Sequence, residues 1–277
     1  MKKIKLIALD LDGTLLDSEK RLSSKNEAVL KECIRRGIEI VPCTGRIWIA
    51  VPEFLQKFPG IHYAITVNGA VVENVAEKKV LDEKMMTCEK AMEMIDFARG
   101  FNTMYDAYAS GRGYGEERFI GRMTEFGIAE HLQSMIHNTR TMVPDLKEQL
   151  RSMGRPVEKL NYFFGDMEER KRVREILMKR DDILVSSAMP YNLEINALGA
   201  TKGEALMRLA EHLGLNPEET MGFGDGENDL TMIRDAGIGV AMRNGIDLLR
   251  ENADYVTLTN DEDGVADAIE KLVLQNC

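Results

Sequence analysis

Residues 4–10, IKLIALD, run almost without a polar break as far as Asp10. A short continuous apolar run suits a strand buried on both faces, as in a parallel sheet. Ser24-Lys-Asn-Glu27 has the spacing of a capping box. The helix it opens carries Ala28, Leu30, Cys33 and Ile34 and stops at Gly37, a good residue just past a helix end. IEIVPC (38–43) predicts a second strand, residues 45–57 a second helix, and YAITVN (63–68) a third strand. Strands alternating with helices imply an α/β fold with a doubly wound parallel sheet.

The same alternation returns near the carboxyl end. Residues 202–212 read as a helix ending at Gly214, and MGFGD (221–225) as a strand. A helix over 229–235, the strand GIGVAM (237–242), a helix near 246–252, the strand YVTL (255–258) and an amphipathic helix over 264–274 complete it. The middle differs. Helical stretches at 88–100 and 167–180 are interspersed with β-like pieces such as NTMYDAYA (102–109) and KLNYFF (159–164), and DILVSSA and YNLEIN follow the second helix. The pattern predicts a discontinuous parallel-sheet core, residues 1–81 and 196–277, interrupted by an α+β insertion over 82–195.

Composition narrows the class. With 36 Lys and Arg against 46 Asp and Glu, the formal charge is −10. That balance argues against a general nucleic-acid or acidic-membrane surface, since both are polyanions. No apolar stretch approaches the ~20 residues of a membrane span. The basic-then-apolar start is broken by Asp10 and Asp12, so a first strand is expected rather than a leader. Cys33, Cys43, Cys88 and Cys277 make no CxxC pair, and His62, His131, His137 and His212 lack zinc-ligand spacing. A reducing cytoplasm is the expected home. The 17 methionines are expected as fillers.

Four short motifs each sit at a predicted strand end or helix start. Asp10-Leu-Asp12-Gly-Thr14 follows the first strand. Two carboxylates this close at the carboxyl end of a buried strand repel one another, and a cation would offset that cost. Ligands of open α/β sheets bind at this end. Thr44-Gly45-Arg46 follows the second strand, where a hydroxyl and helix-start amides suit an anion. Lys202-Gly203 opens a helix, and the lysine there can neutralise phosphate charge. Gly224-Asp225-Gly226-Glu227-Asn228-Asp229 follows a later strand and suits a hard cation such as Mg²⁺. Taken singly, each reads equally as a polar turn, a cap or a surface charge. Their joint order does not.

DLDGT, TGR, KG and GDGEND resemble the four motifs of the haloacid dehalogenase-like superfamily. The further resemblance is to its Cof-type branch, phosphatases with a large α/β cap inserted after the third core strand. Asn68-Gly69-Ala70, Lys202-Gly-Glu-Ala-Leu206, Ala236-Gly-Ile-Gly-Val-Ala-Met242 and Asp263-Gly-Val265 add to it. A departure lies at Asn196-Ala-Leu-Gly-Ala-Thr201, where relatives often carry a proline and then Val-Ser before the lysine. The resemblance implies that Asp10 attacks phosphorus and that Asp12 serves as acid and then base. It implies Mg²⁺ on the Asp10 carboxylate, the Asp12 backbone carbonyl and Asp225, with Asp229 beside them. Thr44, the Gly45 N–H, Lys202 and Asn228 would hold the phosphoryl group, with Arg46 reaching the substrate. The expected substrate is a small phosphate ester, sugar phosphates first and phosphorylated cofactors or precursors next.

The insertion would carry specificity. In its segment 108–118, Ser110, Arg112 and Tyr114 offer polar reach, although the same residues suit a plain glycine-containing hairpin. Among rivals, a dehalogenase has no need of Asp12, and a cap after the third strand favours a phosphatase over a mutase. An aspartate-phosphorylated receiver module also uses Asp, Thr, Lys and Mg²⁺. It needs no acid two residues on, and is about half this length.

Overall fold

The computed structural model describes residues 3–275, so Cys277 lies outside the described residues. Its elements begin with β1 (Leu6–Leu9), α1 (Ser24–Arg35), β2 (Glu39–Pro42), α2 (Glu53–Gln56), β3 (Tyr63–Thr66), β4 (Val71–Asn74) and β5 (Lys79–Glu83). The insertion follows with α3 (Cys88–Ala98), β6 (Met104–Ala109), β7 (Arg112–Glu116), α4 (Glu130–Thr139), β8 (Arg140–Val143), α5 (Leu146–Met153), β9 (Lys159–Phe163), α6 (Met167–Leu177), β10 (Leu184–Ser186) and β11 (Asn192–Asn196). The chain then returns through α7 (Lys202–His212), β12 (Thr220–Gly224), α8 (Leu230–Asp235), β13 (Ile238–Ala241), α9 (Asp247–Asn252), β14 (Tyr255–Val256) and α10 (Gly264–Ile269). Two compact units result. One holds the chain up to Arg46, Val51–Glu83 and everything from Thr201; the other holds Ile47–Ala50 and Lys84–Ala200.

The first unit is built on a five-stranded sheet of order β14-β13-β12-β1-β2. Every pairing in it is parallel, and every residue of β1 is buried. The two ends of the chain therefore share one sheet, with β1 hydrogen-bonded to β12 on one side and β2 on the other. Helix α1 is capped by Ser23, one residue before the expected Ser24. Ser23 is extended, and its hydroxyl accepts the Asn26 N–H at 3.0 Å. Glu27 instead pairs with Lys31 one turn along.

Two local expectations change. No single helix spans 45–57. Pro52 cannot donate an N–H and biases Val51 away from helical geometry, so a short 3₁₀ turn at Trp48–Ala50 is followed by α2 alone. The third strand also leaves the parallel sheet. It meets the parallel sheet in one isolated bridge, Cys43 just past β2 with Ile65, and then folds into an antiparallel meander β3-β4-β5.

The second unit has a six-stranded sheet, β10-β11-β9-β6-β7-β8, antiparallel except for the β7–β8 pair. Strand alternation separates its faces. Tyr105, Ala107, Leu160, Tyr162, Leu193 and Ile195 join the helix residues Met94, Ile95, Leu150 and Val173 in one apolar cluster. The alternate positions carry Asp106, Tyr108, Lys159, Asn161 and Glu194, all buried. Lys159 pairs with Glu194 at 2.6 Å, and Arg140 donates to Asp106 at 3.0 Å and to the Tyr108 hydroxyl at 2.5 Å. Asn161 also donates to Asp106.

The hairpin tip is Ser110-Gly111, both with positive φ as a two-residue turn of this hand needs. Tyr114 pairs in register with Ala107 and packs into the apolar cluster, so it does not offer the polar reach expected of it.

Candidate active site

The first loop starts where β1 ends. The Asp10 N–H donates to the Phe223 carbonyl at 3.0 Å, which fixes the strand end against β12. The chain then turns at Gly13, where φ is +89° and a Cβ would lie 2.5 Å from Asp225 Oδ2. A glycine is required there for both reasons. Thr14, fully buried, donates its hydroxyl to Asp225 Oδ1 at 2.8 Å. The first and fourth motifs are thereby clamped together. In the sequence Thr14 is marked only as the last residue of its motif.

Helix α7 delivers the lysine. The Thr201 side chain caps it by accepting the Glu204 N–H at 3.1 Å, which makes Lys202 its first residue. A side chain at Gly203 would collide with Asp235 and with the backbone of Thr231, so the glycine lets α7 lie close on α8. Lys202 is wholly buried. Its Nζ donates to Asp10 Oδ1 at 2.6 Å and to Asp229 Oδ1 at 2.5 Å. Asp229 Oδ2 accepts the N–H groups of Asp225 and Gly226 at 3.0 and 2.9 Å, shaping the fourth loop.

Carboxylate oxygens of Asp10, Asp225 and Asp229 all lie within 4.8 Å of one another, a group that could hold a metal ion. Against these three acids stands the one ammonium of Lys202. Burial alone would discharge that ammonium, but the Asp10 and Asp229 charges outweigh burial and keep it protonated. Burial pushes Asp10 well above the usual carboxylate range; Lys202 opposes this, while Asp229 and Asp225 add to it. Asp225 is raised to about 6, by burial first and the Asp229 charge second. The cluster is short of positive charge, and its donors are all hard oxygens. Such a set fits a small divalent cation of the Mg²⁺ type.

Asp12 has a different environment. Burial would raise its pKa, but the Arg46 guanidinium and then the Lys20 ammonium hold it below the ordinary value. Arg46 grips both oxygens, each at 2.7 Å, and Lys20 adds a contact at 2.9 Å. Arg46, expected on the substrate, is thus found on Asp12, joined there by Lys20, which nothing in the local sequence marks.

Thr44 is buried, and its hydroxyl accepts the Arg46 N–H at 3.2 Å. With no helix starting at Gly45, any anion here would meet turn amides rather than a helix terminus. The next turn, Val67-Asn68-Gly69, adjoins it: the Asn68 N–H donates to the Thr44 carbonyl at 3.0 Å. Asn228 in turn donates from Nδ2 to Asn68 Oδ1 at 3.1 Å. Cys43, beside these groups, is fully buried, and burial pushes its thiol far up, as expected of a small filler.

Residues 7–269 match the haloacid dehalogenase-like hydrolase family. The chain belongs to that family. Its large insertion is that of the Cof-type branch, and the chain is a phosphoric monoester hydrolase. The 5-amino-6-(5-phospho-D-ribitylamino)uracil phosphatase YcsE of Bacillus subtilis is 33% identical over 271 residues, 98% of this chain and 96% of its own. A haloacid dehalogenase-like hydrolase structure from B. subtilis matches with TM-score 0.86 at 30% identity, covering 98% of this chain and 100% of the other. The subclass IIB sugar phosphatase BT4131 matches with TM-score 0.80 at 26% identity, over 96% and 98%. Among the described residues no helix is long and apolar enough to cross a membrane.

Proposed function

We propose that this hydrolase is a Mg²⁺-dependent phosphatase of small, polyhydroxylated phosphate esters, acting through an aspartyl phosphate on Asp10. One observation carries the reading: a strand-end carboxylate, Asp10, lies 2.6 Å from a buried lysine inside an acidic cluster short of positive charge. The Asp10 carboxylate attacks phosphorus as the ester P–O bond breaks, and Asp12 delivers a proton to the leaving oxygen. Asp12 then takes a proton from water, which attacks the aspartyl phosphate to release phosphate and restore Asp10. Lys202, Thr44, the Gly45 N–H and Asn228 hold the phosphoryl oxygens. Mg²⁺ would be held by the Asp10 carboxylate, the Asp12 carbonyl and Asp225. Asp229 would stand beside them, its oxygens already facing Lys202 and two amides. When bound, the ion would offset the charge of the transferring phosphoryl group.

The substrate class draws on the named relatives, since a sugar and a ribityl chain both carry rows of hydroxyls. The insertion suits a specificity role. Its Asp106, Glu194, Asn161 and Lys159, buried and paired among themselves, are of the donor and acceptor types that pair with hydroxyls. The free Cys33, Cys43 and Cys88 fit a reducing cytoplasm.

The testing experiment is turnover of p-nitrophenyl phosphate and a panel of phosphate esters by purified protein. With Mg²⁺ many turnovers are expected, EDTA should silence them, and zinc should not be needed. Full activity after exhaustive chelation, or a single equivalent of product, would refute the reading.

Asp12 offers a sharper check. Held ionised by Arg46 and Lys20, it must gain a proton before it acts as acid, and the dianionic ester beside it favours that uptake. For Asp12→Asn, p-nitrophenyl phosphate should give a fast first turnover, because its leaving group needs little protonation. A slow steady state should follow, because the base for hydrolysis is gone. Wild-type rates in both phases would remove Asp12 from the mechanism.

A further inference from the structure

Val67, Asn68 and Gly69 form one turn at the end of β3, and all have positive φ, +52°, +61° and +95°. A β-branched residue such as Val67 rarely adopts this conformation, so its surroundings must impose it. The Val67 N–H donates to the Arg46 carbonyl and the Asn68 N–H to that of Thr44, both at 3.0 Å. A Cβ on Gly69 would collide with the carbonyl of Thr201, the residue before Lys202. The turn thus lies between the Thr44 strand end and the start of α7. From it Asn68, 3% exposed, directs Oδ1 at the Asn228 amide, 3.1 Å away. The Asn228 Oδ1 faces its own loop, 2.9 Å from where a Gly226 Cβ would sit.

An asparagine amide has a donor end and an acceptor end, and a half-turn about its last bond exchanges them. The acceptor end would repel a phosphoryl oxygen. We propose that Asn68 is a positioning residue: its Oδ1 accepts one N–H of Asn228, locks that amide donor-end toward the Thr44 turn, and leaves the second N–H for a phosphoryl oxygen. This rests on the phosphatase reading. The left-handed turn is the device that brings Asn68 to Asn228 across 160 residues of sequence. Nothing local in the sequence marks this pairing.

The test measures binding of inorganic phosphate by calorimetry in Mg²⁺, alongside kinetics on p-nitrophenyl phosphate. Asn68→Gly removes the amide while tolerating the left-handed turn. Its phosphate Kd should rise about 5- to 10-fold, the loss of roughly one hydrogen bond, and Asn228→Ala should match it. The double variant should lose no more than either single, because Asn68 acts through Asn228. KM should rise with kcat little changed, as for a contact shared by bound ester and transition state. Asn68→Ala, which adds backbone strain, should show the same Kd as Asn68→Gly at a lower Tm. An unchanged Kd in Asn68→Gly, losses that multiply in the double variant, or a Kd that follows Tm from Gly to Ala would each overturn the assignment. Because Kd is read without turnover, an inactive wild type that still shows the coupling overturns the phosphatase reading alone.

Discussion

Asp10→Asn should lose turnover by roughly 10⁴-fold or more while keeping the fold, the scale expected when a nucleophile is removed. The amide is nearly isosteric and retains an acceptor oxygen for the Lys202 Nζ, 2.6 Å away. It lacks the carboxylate charge that the proposed attack on phosphorus requires. The same change removes one of the three acids crowded around a single ammonium. In EDTA the variant should therefore melt no lower than wild type, and Mg²⁺ should raise its Tm less. The measurements are steady-state kinetics on protein checked for deamidation by mass spectrometry, with melting curves with and without Mg²⁺. Undiminished turnover would end the aspartyl-phosphate mechanism. A collapse of Tm in EDTA would show that Asp10 supports the fold more than it strains it.

Lys202→Met should damage both stability and chemistry. Wholly buried, Lys202 pairs with Asp10 and Asp229 at 2.6 and 2.5 Å. Removing one partner of a buried ionic group typically costs about 3–5 kcal/mol, because the remaining charges stay buried without compensation. The pH dependence has a definite sign. Without the lysine, which opposes the rise, the buried Asp10 carboxyl beside the Asp229 and Asp225 charges has a folded-state pKa still further above the unfolded one. The folded variant then binds more protons than the unfolded chain, so its stability falls as pH rises through that interval. The deficit should be smaller at pH 5 than at pH 8, and Mg²⁺ should recover part of it by binding the folded state. Urea unfolding at the two pH values, with and without Mg²⁺, reads this directly. A variant as stable as wild type at pH 8 in EDTA would contradict it. Turnover should fall even where Mg²⁺ restores the fold, because the buried cation proposed to face the phosphoryl group is gone.

These expectations were open to sequence reading to different extents. The alternation of apolar runs and amphipathic helices was legible because burial on one or two faces leaves a period in the local sequence. β1, α7, β12, α8 and β13 all lie where that period puts them. Asp10, Asp225 and Lys202 were legible for a related reason. Each stands at a strand end or helix start, where an α/β fold exposes its ligand-binding edge.

Other features depend on contacts that no local window contains. Strand β3 meets the parallel sheet in one isolated bridge, Cys43 with Ile65, and pairs instead with β4. Tyr114 faces the apolar cluster because of its register opposite Ala107, and a one-residue shift would have reversed it.

By itself the sequence determined the alternating core, the insertion within it, and the order of the four chemical motifs, since local periodicity and strand-end placement encode these. Only the tertiary structure decided which charges meet. Lys202 reaches Asp10 across 192 residues, Thr14 reaches Asp225 across 211, and Arg46 turns onto Asp12. Such pairings are chosen by the low-dielectric interior, where a buried charge without a partner is costly and nearby opposite charges decide one another's protonation.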